Sequence, residues 1–173
     1  YSTSHDRTVR IWNVANGTLE RTLGPFESYH GTNALAVAKD GTIAAATAVA
    51  GGRLRVSLVR LWSANGATQV GEITMPEADH IALADDHRWV LASHNETGKV
   101  SFSVWDVASK RRLFELPTQA ENRANAHELH RLPNGTYLAT TLRSAYVVDP
   151  VAGKVKELEH STDEAGDQVG YTA

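Results

Sequence analysis

"TVRIWNVANG" (residues 8–17) alternates apolar and polar side chains, places a tryptophan at its fifth position and ends in an Asn-Gly turn. Alternation, a marked residue and a closing turn recur in "SLVRLWSANG" (57–66, Trp at the sixth position), "SFSVWDVASK" (101–110) and "SAYVVDPVAG" (144–153), the last with Val148 in place of the indole. The marked positions, Trp12, Trp62, Trp105 and Val148, are 50, 43 and 43 residues apart, and three of the chain's four Trp residues occupy them. A spacing of that size is the mark of a structural repeat and overrides any local reading.

Within each unit the residues one and three before the marked position are apolar: Ile11 and Val9, Leu61 and Val59, Val104 and Phe102, Val147 and Ala145. Period-two alternation predicts strands. The Trp falls on the face opposite these neighbours, so each strand carries bulk on both faces and needs cover on both sides. Asn16-Gly17 and Asn65-Gly66 close the stretch after the Trp, and Asp40-Gly41, Asp85-Asp86-His87 and Asn134-Gly135 form a second set of turns. Strand-like runs follow each set: "TLERTLG", "ATQVGEI", "RRLFELP" and "KVKELEH" after the first, "TIAAATAV", "RWVLASHN" and "TYLATTL" after the second. Each unit reads as four short antiparallel strands, and the chain as all-β.

"SHDRTVRIWNVANGTLERTL" (4–23) and "KVSFSVWDVASKRRLFEL" (99–116) resemble the third and fourth strands of WD-repeat blades. The resemblance implies a β-propeller of four-stranded blades with about four in view. In this register residues 1–24 are part of one blade, 25–74, 75–117 and 118–159 are full blades, and 160–173 open the next. The length equals about 3.8 repeats and the chain begins with Tyr1, so the expectation is a divergent piece of a larger ring. A closed four-bladed ring is the alternative.

WD repeats join the indole N–H to a buried set made of an Asp, a second-strand Ser or Thr, and a His. Only Asp6 holds the Asp position here, against Val56, Lys99 and Leu142 in the other units, and His30 stands near the place of the His. The divergent blades are expected to replace the set by apolar packing, with Trp12, Trp62 and Trp105 as structural residues. The fourth unit, "NAHELHRLPNGTYLATT", also resembles quinoprotein-like and arylsulfotransferase-like propellers. That resemblance implies an enzyme with a pocket on the central axis, with His127 or His130 as its chemistry, although the Leu-Pro-Asn-Gly turn is ordinary hairpin chemistry.

Charge and composition narrow the remaining classes. A formal charge of −3 disfavours nucleic acid, and no apolar run reaches the roughly 20 residues that span a bilayer. The absence of cysteine excludes a disulfide framework and favours the cytoplasm, though it also suits cysteine-poor exported proteins, so the compartment stays open. His127 and His130, three apart on a strand, point to opposite faces, and the cluster Asp163, Glu164 and Asp167 lacks calcium-loop spacing; no metal or other cofactor is expected. The sequons at Asn16 and Asn134 are Asn-Gly-Thr turns, which hairpin chemistry explains, and a third lies at Asn95. Lys110, Arg111 and Arg112 read as an edge-blunting run.

The expected function is a non-catalytic scaffold that binds a protein or peptide on one loop face. WD-repeat proteins form that face from loops joining the fourth strand to the next blade and the second strand to the third. In this register those loops carry Glu27, Tyr29 and His30, Asp79 and His80, Asn122 and Arg123, with His5, Arg53, Asn95 and Glu96 from the other set. Tyr29 and Arg53 rank first, because Tyr and Arg dominate interface hot spots. Open blade faces would also drive self-association if the chain is truncated.

Overall fold

The computed structural model describes residues 1–28, 32–51, 54–96, 99–117, 128–140 and 144–158. Every regular element among them is a strand. Blade 1 holds β1 (Ser2–Thr3), β2 (Val9–Asn13) and β3 (Thr18–Leu23); blade 2 holds β4 (Thr32–Val37), β5 (Ile43–Gly51), β6 (Leu54–Trp62) and β7 (Gln69–Pro76). Blade 3 holds β8 (His80–Leu83), β9 (Trp89–Glu96), β10 (Lys99–Asp106) and β11 (Arg112–Pro117); blade 4 holds β12 (Glu128–Arg131), β13 (Tyr137–Thr140), β14 (Ala145–Asp149) and β15 (Lys154–Leu158). Each sheet is an antiparallel meander in chain order. The fold is all-β and its sheets are propeller blades, as the repeat predicts.

The two-sided patterning of the Trp strands explains how the blades stack. Trp62 packs with Val9, Ile11 and Leu23 of blade 1, whereas Val59 and Leu61 on the other face join Ile81, Leu83, Val90 and Ala92 of blade 3. Trp105 lies on that same seam, and Phe102 and Val104 face Tyr137, Tyr146 and Val148 of blade 4. The core is therefore a series of seams between sheets. The alanine run of β5 supplies small side chains to two of them, Ala44 and Ala46 toward blade 3 and Ala45 toward blade 1. The first strands β4, β8 and β12 contact one another from blade to blade, which makes them the inner edge of the stack, and β1, the second strand of blade 1, contacts β4.

Trp12, Trp62 and Trp105 each coincide with a β-bulge. The pairing slips between Ile11 and Trp12, between Leu61 and Trp62, and between Val104 and Trp105, leaving Glu20, Val70 and Leu113 as extra residues on the fourth strands. Blade 4, with Val148 at this position, pairs without a slip. Such bulges re-aim side chains and increase the local twist. The turns are closed by their own side chains: Asn16, Asp40 and Asn134 each accept the N–H and hydroxyl of the Thr two residues on. At this end of the sheets Asp85 of blade 3 pairs with Lys39 of blade 2 at 3.2 Å and Arg131 of blade 4 at 2.6 Å.

Phe102 is fully buried, its ring centroid 6.0 Å from that of Tyr146 across the seam. Phe102→Ala is expected to destabilise the fold by about 3–5 kcal/mol. Val14→Thr, at a site 92% exposed, should change stability by less than about 0.5 kcal/mol. Denaturant unfolding of both variants measures the contrast.

Candidate interaction face

The connection from β7 to β8, residues 77–79, carries the chain from the outer strand of blade 2 to the inner strand of blade 3. Four hydrogen bonds pin it. Ala78 N–H donates to Ser57 Oγ at 3.0 Å, Asp79 N–H to the Ser93 carbonyl at 2.9 Å, and His80 N–H to Ser93 Oγ at 3.2 Å. His94 Nδ1 donates to the Glu77 carbonyl at 2.9 Å. A carbonyl only accepts, so this contact places a proton on Nδ1. Ser57, Ser93 and His94 are all buried, which makes the connection a built part of the structure.

From His94 the polar chain continues inward. Its Nε2 lies 2.5 Å from Ser103 Oγ, and the Trp105 indole N–H donates to the same oxygen at 2.7 Å. Ser103 stands two residues before Trp105 on β10, hence on the same face, and His94 enters from the neighbouring strand β9. Blade 3 thus keeps a buried polar set around its indole, where apolar replacement was expected. The physical reason is that β9 and β10 bring a His and a Ser of their own within reach, so the indole needs no Asp. In blade 1 the Trp12 indole donates to Ser2 on the second strand at 2.9 Å. Asp6 is exposed and engages Thr8 and Arg10, whose hydrogen bonds hold its pKa down at about 2. Blade 2 sets Trp62 against Phe26 with 5.4 Å between centroids, and Arg60 stacks over the Phe26 ring at 5.2 Å.

Asp79 is the unsatisfied member of the pinned connection. Its Oδ2 is buried without a hydrogen-bond partner among the described residues. Burial pushes its pKa above the usual carboxylate value; the charges of His80 and His94 oppose the rise and that of Glu77 adds to it. The residue as a whole is half-buried.

The predicted site residues are placed unevenly. Asp79 and His80 meet Glu77 and His94 at this connection, but His80 opens β8 and is not a loop residue. Asn95 lies within β9, because pairing with β10 continues through Glu96 and Lys99. His5 is exposed in the β1–β2 turn. Tyr29, His30, Arg53, Arg123 and His127 lie outside the described residues. His130 is exposed and bonds Glu128 on its own strand face at 2.6 Å. Sequence reasoning missed Ser57, Ser93, His94 and Ser103. The one available signal was Ser103 on the Trp face of its strand, where a small polar residue needs a partner.

Ser103→Ala leaves both His94 Nε2 and the Trp105 indole without their shared partner, and is expected to destabilise the protein by about 1–3 kcal/mol in urea unfolding. Asp79 adds a pH dependence. Below the unfolded value of 3.8 its carboxyl is protonated in both states, and as pH rises through the raised folded value the fold loses stability. The Tm advantage of Asp79→Asn over wild type should therefore widen from about pH 4 to about pH 7.

No family model matches the chain. Over 120 residues it is 28% identical to the small ribosomal subunit protein RACK1y of Oryza sativa subsp. japonica, a WD-repeat protein. That match takes in 69% of this chain and 32% of the relative, so the chain spans about a third of the relative's length. Among solved structures, the Dos1 propeller superposes with a TM-score of 0.58 at 12% identity, covering 83% of this chain and 37% of that one. The dihydro-heme d1 dehydrogenase NirN in complex with DHE gives 0.58 at 16% identity, covering 90% and 33%. These two likenesses are of fold. Repeat, blades and sequence match agree that the chain is built of β-propeller blades that resemble those of WD-repeat proteins.

Proposed function

We propose that this chain is a non-catalytic interaction module that binds a protein or peptide partner on the loop face around Asp79. The observation that carries the reading is the buried, unpartnered Oδ2 of Asp79 in a connection already ordered by four hydrogen bonds. Ordering in advance removes part of the entropic penalty of association, and the half-buried Asp79 carboxylate is proposed to receive a Lys, an Arg or a backbone N–H of the partner. His80 borders the acceptor, and His5, Tyr29, His30, Arg53, Asn95 and Arg123 are proposed to extend the face. The match to RACK1y supports a scaffold role, whereas the likeness to NirN is one of fold and carries no argument about activity.

Paired baits test the reading. Wild-type protein and Asp79→Asn, both checked for cooperative unfolding, are used for affinity capture from extracts of the source organism with quantitative mass spectrometry. The expected result is at least one protein retained by wild type and depleted at least about tenfold on Asp79→Asn, the loss of a charge-assisted hydrogen bond. Identical profiles would overturn it.

A further inference from the structure

The hairpin turns at the end of the sheets opposite Asp79 each contain a residue with positive φ. After the first strand it is Gly41 (φ 87°) in blade 2 and Gly135 (83°) in blade 4; after the third strand it is Gly17 (71°), Gly66 (67°) and Gly153 (63°) in blades 1, 2 and 4. Blade 3 breaks the rule in both places, with His87 (57°) and Lys110 (59°). The substitutions stand out within the repeat: Asp86-His87-Arg88 against Asp40-Gly41-Thr42 and Asn134-Gly135-Thr136, and "DVASK" against "NVANG" and "DPVAG". Glycine adopts this conformation freely, whereas a residue with Cβ adopts it at an energetic penalty.

Both exceptional side chains line the same groove. It has a volume of about 650 Å³ and runs between blades 2 and 3, with Val70, Gly71 and Glu72 of β7 on one side and Arg88, Asp106 and Val107 on the other. Val70 is the extra residue of its bulge and is 58% exposed. The anions of the groove are engaged: Glu72 lies 3.4 Å from Arg60, and Asp106 accepts the N–H and hydroxyl of Ser109 at 2.7 and 2.5 Å. His87 Nε2 is 3.1 Å from Asp40, tying the two blades together. Ser109 first, and then the charge of Arg88, hold Asp106 below the ordinary carboxylate range. Lys110 and Arg88 form no ion pair among the described residues.

We infer that this groove docks an extended peptide segment of a partner protein in which carboxylate side chains alternate with aliphatic ones. The carboxylates meet Lys110 and Arg88, and the aliphatic side chains cover Val70 and Val107. The volume falls within the roughly 300–1,000 Å³ of ligand sites, and alternation matches the period of an extended chain. This surface is separate from the Asp79 face and does not depend on it.

The test is fluorescence anisotropy with a fluorescein-labelled peptide of alternating leucine and aspartate. Wild type should bind it saturably, more weakly at high salt, and should ignore the same peptide with lysine for aspartate. Lys110→Gly installs the repeat's own turn residue, so its unfolding midpoint should equal or exceed that of wild type while peptide affinity falls at least about tenfold. Val70→Asp, a change at an exposed site, should weaken binding similarly, and Asp79→Asn should leave it unchanged. The proposal is overturned if wild type shows no saturable binding, if the lysine peptide binds as well, or if either groove variant binds as wild type does. A lowered midpoint for Lys110→Gly would also overturn it, by showing that Lys110 serves the turn.

Discussion

No blade can satisfy its own hydrophobic surface. A strand such as β6 presents Trp62 to one side and Val59 and Leu61 to the other, so its sheet is stable only between two others. That constraint makes the seams the core of the molecule, and it governs every polar group that falls on a seam. Burying a polar atom without a partner typically costs about 1–3 kcal/mol, so such atoms bring partners with them. Ser103, His94 and the Trp105 indole form one such chain, and Ser57 and Ser93 do the same for the backbone N–H groups of the connection between blades 2 and 3.

The repeat also shows where its rules are suspended. Three Trp positions share the same bulge, and the turns share the same Asx hydrogen bonds and left-handed glycines. Arg7 in the β1–β2 turn of blade 1 also has a positive φ, and the other departures gather on the seam between blades 2 and 3. At one end Asp79 keeps a buried oxygen unpaired; at the other His87 and Lys110 take conformations that glycine takes elsewhere. Local penalties tolerated in an otherwise regular scaffold tend to mark functional positions, and both readings of this protein's binding surfaces start from that contrast.

Much of the fold was legible because it follows from local order. The Trp spacing, the alternation around it and the turn residues identified the second, third and fourth strands of the units. The inner strands β8 and β12 are four residues long, too short to show a period, and gave no separate signal. His80 and Asn95 were assigned to loops for a related reason: strand ends depend on how far pairing continues, which no single strand records. Asp79 was legible by its position in the repeat. His94 was not, since its neighbours Glu77 and Ser103 are 17 and 9 residues away and meet it only across strands.

By itself the sequence determined that the chain is all-β, that its units recur with the Trp and that each sheet needs cover on both faces, because these follow from period, turn chemistry and residue bulk. Only the tertiary structure decided which polar groups are buried together and which are left alone. A hydrogen bond between strands or blades depends on register and stacking to within a few tenths of an ångström, and that geometry arises only when the sheets are packed.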